Sequence, residues 1–305
     1  MLKDSCQLDL FSTSKPTYRI TKPIRLIECF AGIGAQSKAL ENLGADFESY
    51  RISEWAIPSI KAYAAIHCGW KGEPLEGYTL DEMVRMTAGI SADYSTPLAE
   101  DQRRKKGVKE LATILGAMKA AKDVCPDISK VTGESLSIEK EGDERKHCYI
   151  MTYSFPCQDL SQAGTLAGMS KESGSRSGLL WQIERILLEL KDRRERPDVL
   201  VMENVPQVHG ARNIKDWQAW VAALDGMGYS SYFKDLNAKD FGIPQNRNRC
   251  FMVSILGDYG FEFPRGVELK YPLKGFLQKK ADESYYLRDD LAKGFERYDE
   301  DGNPI

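Results

Sequence analysis

The chain has 305 residues, of which 42% are apolar and 29% charged, so it can bury a full core and is neither collagen-like nor disordered. No run reaches the roughly 20 apolar residues of a spanning helix, and the polar first 15 residues lack the apolar stretch of a secretory signal, which points to the cytoplasm. With 42 basic and 45 acidic residues, the net charge of -3 excludes a protein that grips nucleic acid by bulk charge alone; any such contact has to be local.

In chain order, residues 1–20 read as a loose tail. From residue 21 to about 265, short apolar runs alternate with amphipathic stretches, the pattern of an α/β sheet with crossover helices. Ile24 to Phe30 is a buried first strand, Ser37 to Leu43 a short helix stopped by Gly44, and Phe47 to Ile52 a second strand. Residues 70–126 break the rhythm: Leu80 to Met86 and Val108 to Val124 predict helices joined by the charged run Arg103-Arg104-Lys105-Lys106, a solvated helical insertion. Tyr149 to Tyr153, Val199 to Met202 and Cys250 to Leu256 are further strands. Leu179, Leu180, Ile183, Ile186, Leu187 and Leu190 form one helix face, and Trp217, Trp220, Val221 and Leu224 another.

Four segments carry chemistry. Phe30-Ala31-Gly32-Ile33-Gly34 sits between a strand and a helix, where glycines permit a tight turn and a close backbone approach to a ligand. Glu54 lies 20 residues beyond Gly34, the spacing at which an acid takes ribose hydroxyls, and Trp55 is placed to stack on an adenine ring. A ligand-free strand–helix turn is the plain alternative. Ser154-Phe155-Pro156-Cys157-Gln158 follows a strand, where α/β sheets place their reactive groups, and backbone N–H groups there would favour a nucleophilic thiolate. Cys29 and Cys148 read instead as small buried hydrophobes. The stretch 158–178 is rich in Gly and Ser, as in a lid or an ordinary surface loop. Glu203-Asn204-Val205 puts a carboxylate at a strand's carboxyl end, where burial would raise its pKa. Arg247 and Arg249 alternate before the last strand, so in an extended chain they point the same way, toward a phosphate or a carbonyl. Seven cysteines, odd in number and never spaced C-x-x-C, predict neither a disulfide framework nor a zinc site.

In order and spacing, these segments resemble the DNA cytosine-5 methyltransferase family from about Ile24 to Leu287. The resemblance implies a Rossmann-like sheet with helices on both faces and S-adenosylmethionine as cofactor. It places Phe30, Gly32, Gly34, Glu54, Trp55, Asp127, Ile128 and Leu179 around that cofactor. Cys157 becomes the nucleophile toward carbon 6 of a cytosine flipped out of double-stranded DNA. Glu203 holds ring nitrogen 3, and Arg249 with Arg247 binds the ring carbonyl or a phosphate. It also implies a prokaryotic or phage-borne enzyme, with restriction-modification, a phage role or an orphan role as the open settings. An RNA cytosine-5 methyltransferase and a non-catalytic relative are the alternatives; the Phe155-Pro156-Cys157 spelling favours DNA over RNA, and intact Cys157, Glu203, Arg247 and Arg249 argue against decay. Residues 266–305 resemble the connector that precedes the family's target recognition domain. The expectation is therefore a catalytic portion whose DNA-reading part lies on a C-terminal extension or a partner chain.

Overall fold

The computed structural model describes residues 15–122, 124–140, 142, 145–156, 176–190, 192–270, 273–288 and 291. They divide into two compact units, the first running up to Leu236 and resuming over Asn248–Pro264, the second made of Asn237–Arg247 and the described residues from Arg265 on.

The first unit is built on six strands: β1 (Ile24–Cys29), β2 (Phe47–Ser53), β3 (Cys148–Tyr153), β4 (Val199–Asn204), β5 (Tyr229–Asn237) and β6 (Asn248–Leu256), in the order β2-β1-β3-β4-β6-β5. β1 pairs in parallel with β2 and β3, and β3 with β4, whereas β6 runs antiparallel to β4. All six residues of β3 are buried, which is why it reads as a continuous apolar run rather than an alternating one. Cys29 pairs with Tyr153 and Tyr153 with Met202, so the carboxyl ends of β1, β3 and β4 lie level. From β1 the chain goes first to one neighbour and then to the other, and a reversal of this kind opens a crevice at the strands' carboxyl ends. This is the expected Rossmann-like α/β fold.

Among the described residues there are six α-helices: α1 (Ala35–Asn42), α2 (Ile57–His67), α3 (Leu80–Met86), α4 (Glu100–Ala120), α5 (Leu180–Glu189) and α6 (Ile214–Gly226). Leu180, Ile183, Ile186 and Leu187 of α5 and Trp217, Trp220 and Leu224 of α6 pack with Tyr149, Met151, Tyr153, Leu200 and Met202 in one core. The polar edge of one of these rings is satisfied inside it, since Trp220 Nε1 donates to the Tyr153 hydroxyl at 3.2 Å.

The insertion differs from its sequence reading. The run Arg103–Lys106 is not a linker but part of α4, and the interruption comes one residue later at Gly107 (φ 75°, ψ 171°). Three of the four charges form ion pairs on the outer side: Arg104 with Asp81 and Glu100, Lys105 with Asp101, and Lys106 with Glu110. The other face is a core. Leu111, Ile114, Leu115 and Met118 are buried with Ile57, Ile60 and Tyr63 of α2 and Met83 and Val84 of α3. α3 is opened by a capping box, in which Thr79 N–H donates to Glu82 Oε2 at 2.8 Å and Glu82 N–H to Thr79 Oγ1 at 3.3 Å. At Gly116 a β-carbon would stand 2.0 Å from the Glu73 carbonyl oxygen, so only glycine lets the incoming loop lie on the helix.

In the second unit, Arg247 N–H donates to Asn237 Oδ1 at 3.1 Å and Ala238 N–H to the Arg247 carbonyl at 3.0 Å, closing the loop 237–247 on itself. Val267 N–H donates to the Asp240 carbonyl at 2.8 Å, tying that loop to the segment after residue 265. Among the described residues no helix is long and apolar enough to cross a membrane.

Candidate active site

The loop after β1 is set by left-handed backbone at Phe30 (φ 59°), Gly32 (φ 56°) and Gly34 (φ 84°). A β-carbon at Gly34 would lie 2.4 Å from His67 Nε2 and 2.8 Å from Tyr63 Cε2, so this glycine is demanded both by φ and by close packing on α2. At Gly32 a β-carbon would meet nothing within 4 Å, because that residue faces open space. Behind the loop, Glu28 of β1 is wholly buried and accepts hydrogen bonds from Ser37 Oγ (2.7 Å) and Tyr63 Oη (2.5 Å). Burial raises its pKa while these donors oppose the shift. The network fastens β1, α1 and α2 together behind the loop.

Glu54 follows β2 and is nearly buried. Its Oε2 accepts from Gly32 N–H at 2.7 Å and its Oε1 from Ala56 N–H at 2.8 Å. Burial pushes its carboxyl up, and the backbone donors of Ala56, Gly32 and Trp55 pull the other way. A carboxylate offers about four acceptor sites, so Glu54 can take further donors from the cavity it lines.

That cavity has a volume of about 650 Å³. Phe30, Gly32, Glu54, Trp55, Asp127, Ile128 and Leu179, seven of the eight residues expected around a cofactor, line it; Gly34 supports the loop from behind. Asp127 Oδ1 caps the turn Ile128–Lys130 by accepting from Ser129 N–H (2.9 Å) and Oγ (2.7 Å). The insertion supplies residues that the sequence reading missed: Tyr94, Pro97, Leu98, Ala99 and Arg103 also face the cavity. Arg103 Nε donates to the Val84 carbonyl at 3.1 Å and Nη1 to the Leu98 carbonyl, which clamps this wall to α3. Tyr94 and Ser59 share a hydroxyl hydrogen bond of 3.1 Å.

Ser154 and Pro156, from the end of β3, continue the lining. Cys157 and residues 158–175 of the expected lid lie outside the described residues. The route into Cys157 is held from below: buried Asn204 donates from Nδ2 to the Phe155 carbonyl at 3.1 Å and accepts from Val205 N–H at 2.8 Å. One residue earlier, Glu203 Oε1 meets Arg249 Nε at 3.1 Å. Sheet register explains the pair, because Glu203 opposes Phe251 across the antiparallel β4–β6 ladder and Arg249 stands diagonally on the same face. The expected burial of Glu203 is not found; its side chain keeps 21% of its exposure and rests against Arg249. Arg247 does not share the strand alternation with Arg249, since β6 begins at Asn248 and Arg247 is bonded into the loop of the second unit. Cys29 and Cys148 are buried as expected, and burial pushes both thiols up to about 12.

Comparison with known proteins gives a consistent picture. The family model for C-5 cytosine-specific DNA methylase matches residues 105–302. The orphan methyltransferase M.SssI of Spiroplasma monobiae is 36% identical over 272 residues, covering 88% of this chain and 68% of its own. The type II methyltransferase M2.ScrFI of Lactococcus lactis subsp. cremoris is 33% identical over 268 residues, covering 87% and 70%. Among solved structures, the S. pombe Dnmt2 methyltransferase superposes with a TM-score of 0.53 at 16% identity, over 90% of this chain and 66% of that one, a likeness of fold. The chain thus spans about two thirds of the length of these proteins.

Proposed function

The chain belongs to the C-5 cytosine-specific DNA methylase family, and we propose that it is the catalytic portion of an enzyme that transfers a methyl group from S-adenosylmethionine to carbon 5 of cytosine in double-stranded DNA. The observation that carries this reading is the adjacency of two features at one sheet end: a cavity holding the Glu54 carboxylate and the open face of Gly32, and the Pro156 entry to Cys157 that lines the same cavity.

S-adenosylmethionine supplies an electrophilic methyl group, and the cavity suits it. Glu54 has acceptor capacity for ribose hydroxyls, Trp55 and Ile128 offer apolar faces to adenine, and Gly32 has room where any side chain would intrude. Asp127, Leu179 and Phe30 complete the expected set, and the insertion's Pro97 and Leu98 add a wall to it. On the substrate side, Cys157 thiolate adds to carbon 6 of a flipped cytosine. Glu203 holds nitrogen 3 as the ring loses aromaticity, and carbon 5 gains nucleophilic character. After methylation, loss of the carbon 5 proton and of the Cys157 sulfur restores the double bond. The contact of Arg249 with Glu203 supports a role in orienting that carboxylate; Arg249 is further assigned to the ring carbonyl or a phosphate, and Arg247 to backbone phosphate. DNA sequence is read by a recognition part on a C-terminal extension or a partner chain.

Transfer of a tritiated methyl group to duplex DNA and to tRNA, each digested to nucleosides, tests the reading. Label in 5-methyldeoxycytidine is expected. Label in tRNA alone would establish the RNA alternative.

A further inference from the structure

We infer that His209, Asp235 and Cys250 form a binding site for a borderline-soft divalent cation of the zinc class. The site lies apart from the cavity and does not depend on the methyltransferase reading. His209 ends the turn Pro206–His209 that follows β4, Asp235 is on β5, and Cys250 is on β6. The three elements bring an imidazole nitrogen, a carboxylate oxygen and a sulfur within 4.8 Å of one another. His209 Nε2 and Asp235 Oδ1 already stand 3.0 Å apart.

This donor set is the kind that zinc selects, and three protein ligands with an open fourth position for water is a recognised arrangement. Ordinary bond lengths to nitrogen, oxygen and sulfur put tetrahedral donors roughly 3.3–3.6 Å apart. The histidine–aspartate edge, 3.0 Å, is close to that, and since no edge exceeds 4.8 Å the widest has to contract by at most about 1 Å. His209 and Asp235 keep 26% and 33% of their side-chain exposure, which leaves room for a small adjustment, whereas Cys250 is fully buried. Trp217 and Phe233 stand 5.9 and 5.4 Å from the His209 ring, giving the site an apolar wall. Binding releases the Cys250 thiol proton and leaves a thiolate–metal bond. The sequence could not show this site, because its ligands are 26 and 15 residues apart and match no local spacing.

Cys250 opposes Asn204, whose amide holds the Phe155 carbonyl, so a bound ion would staple β5, β6 and the turn after β4 beside the strand that carries Glu203.

The test uses the tag-free chain with Cys157→Ser, stripped by a chelator and titrated with Co2+. One equivalent of tetrahedral cobalt, with a sulfur-to-metal charge-transfer band in the near ultraviolet, is expected. Cys250→Ala should remove that band. His209→Ala and Asp235→Asn should each weaken Zn2+ binding at least about tenfold in competition with a chromophoric chelator. No thiolate band in the parent, or a band and a zinc affinity unchanged by His209→Ala and Asp235→Asn, would overturn the site. Should Cys250→Ala fail to fold, the two surface variants decide alone.

Discussion

At the scale of single residues, the candidate site is a set of groups whose positions follow from strand ends. Glu54 is the most informative, because one carboxylate organises the loop after β1 and still faces the cavity. Its replacement by alanine should weaken S-adenosylmethionine binding by roughly 1–3 kcal/mol, the cost of stranding polar partners. Isothermal calorimetry checks this, and unchanged affinity would remove Glu54 from the cofactor. Gly34 makes a separate prediction. Gly34→Ala adds overpacking against His67 and Tyr63 to a left-handed backbone, and should cost roughly 2–4 kcal/mol of stability. Urea unfolding reads it directly. Glu54, Glu203 and Arg249 were legible because their spacing from strands and glycines is a local signal. Glu28, Ser37 and Tyr63 were not, since a buried acid is recognisable only once α1 and α2 are folded over it.

At the scale of elements, β1, β3 and β4 were readable as apolar runs, because a strand covered on both faces needs little polar alternation. β5 was missed for the opposite reason: only the first of its nine residues is fully buried, so its sequence has no apolar run. The insertion misled through its charges. Asp101 and Lys105 pair one helical turn apart, Lys106 and Glu110 pair across the break at Gly107, and these charges masked a buried face that the spacing of Leu111, Ile114, Leu115 and Met118 encodes. Its contribution to the cavity was invisible, because a loop wall leaves no periodic trace. That contribution predicts a kinetic split. Leu98→Glu should raise the KM for S-adenosylmethionine about tenfold, roughly 1.4 kcal/mol, and change kcat less. Equal loss in both constants would assign Leu98 to the fold rather than to the cofactor wall.

At the scale of the whole molecule, a net charge of -3 gives no general attraction to DNA, and sequence-specific complexes bury about 1,000–2,500 Å² of protein. Residues 1–305 alone are therefore expected to transfer methyl groups to mixed-sequence duplex DNA at a small fraction of the rate reached with a recognition part added. Filter binding with tritiated S-adenosylmethionine measures both. Full, site-specific methylation by this chain alone would move the reading of DNA onto it, with the insertion as the first place to look.

In the proposed mechanism Cys157 attacks carbon 6 of cytosine while Glu203, paired with Arg249, holds nitrogen 3. DNA containing 5-fluorocytosine tests it most directly, because fluorine at carbon 5 blocks the final elimination and traps the bond. Incubated with S-adenosylmethionine and the chain together with the proposed recognition part, the DNA should form a denaturant-resistant adduct. Tandem mass spectrometry should map that adduct to Cys157, and Cys157→Ser should abolish it. An adduct on another residue, or one that survives Cys157→Ser, would contradict the mechanism.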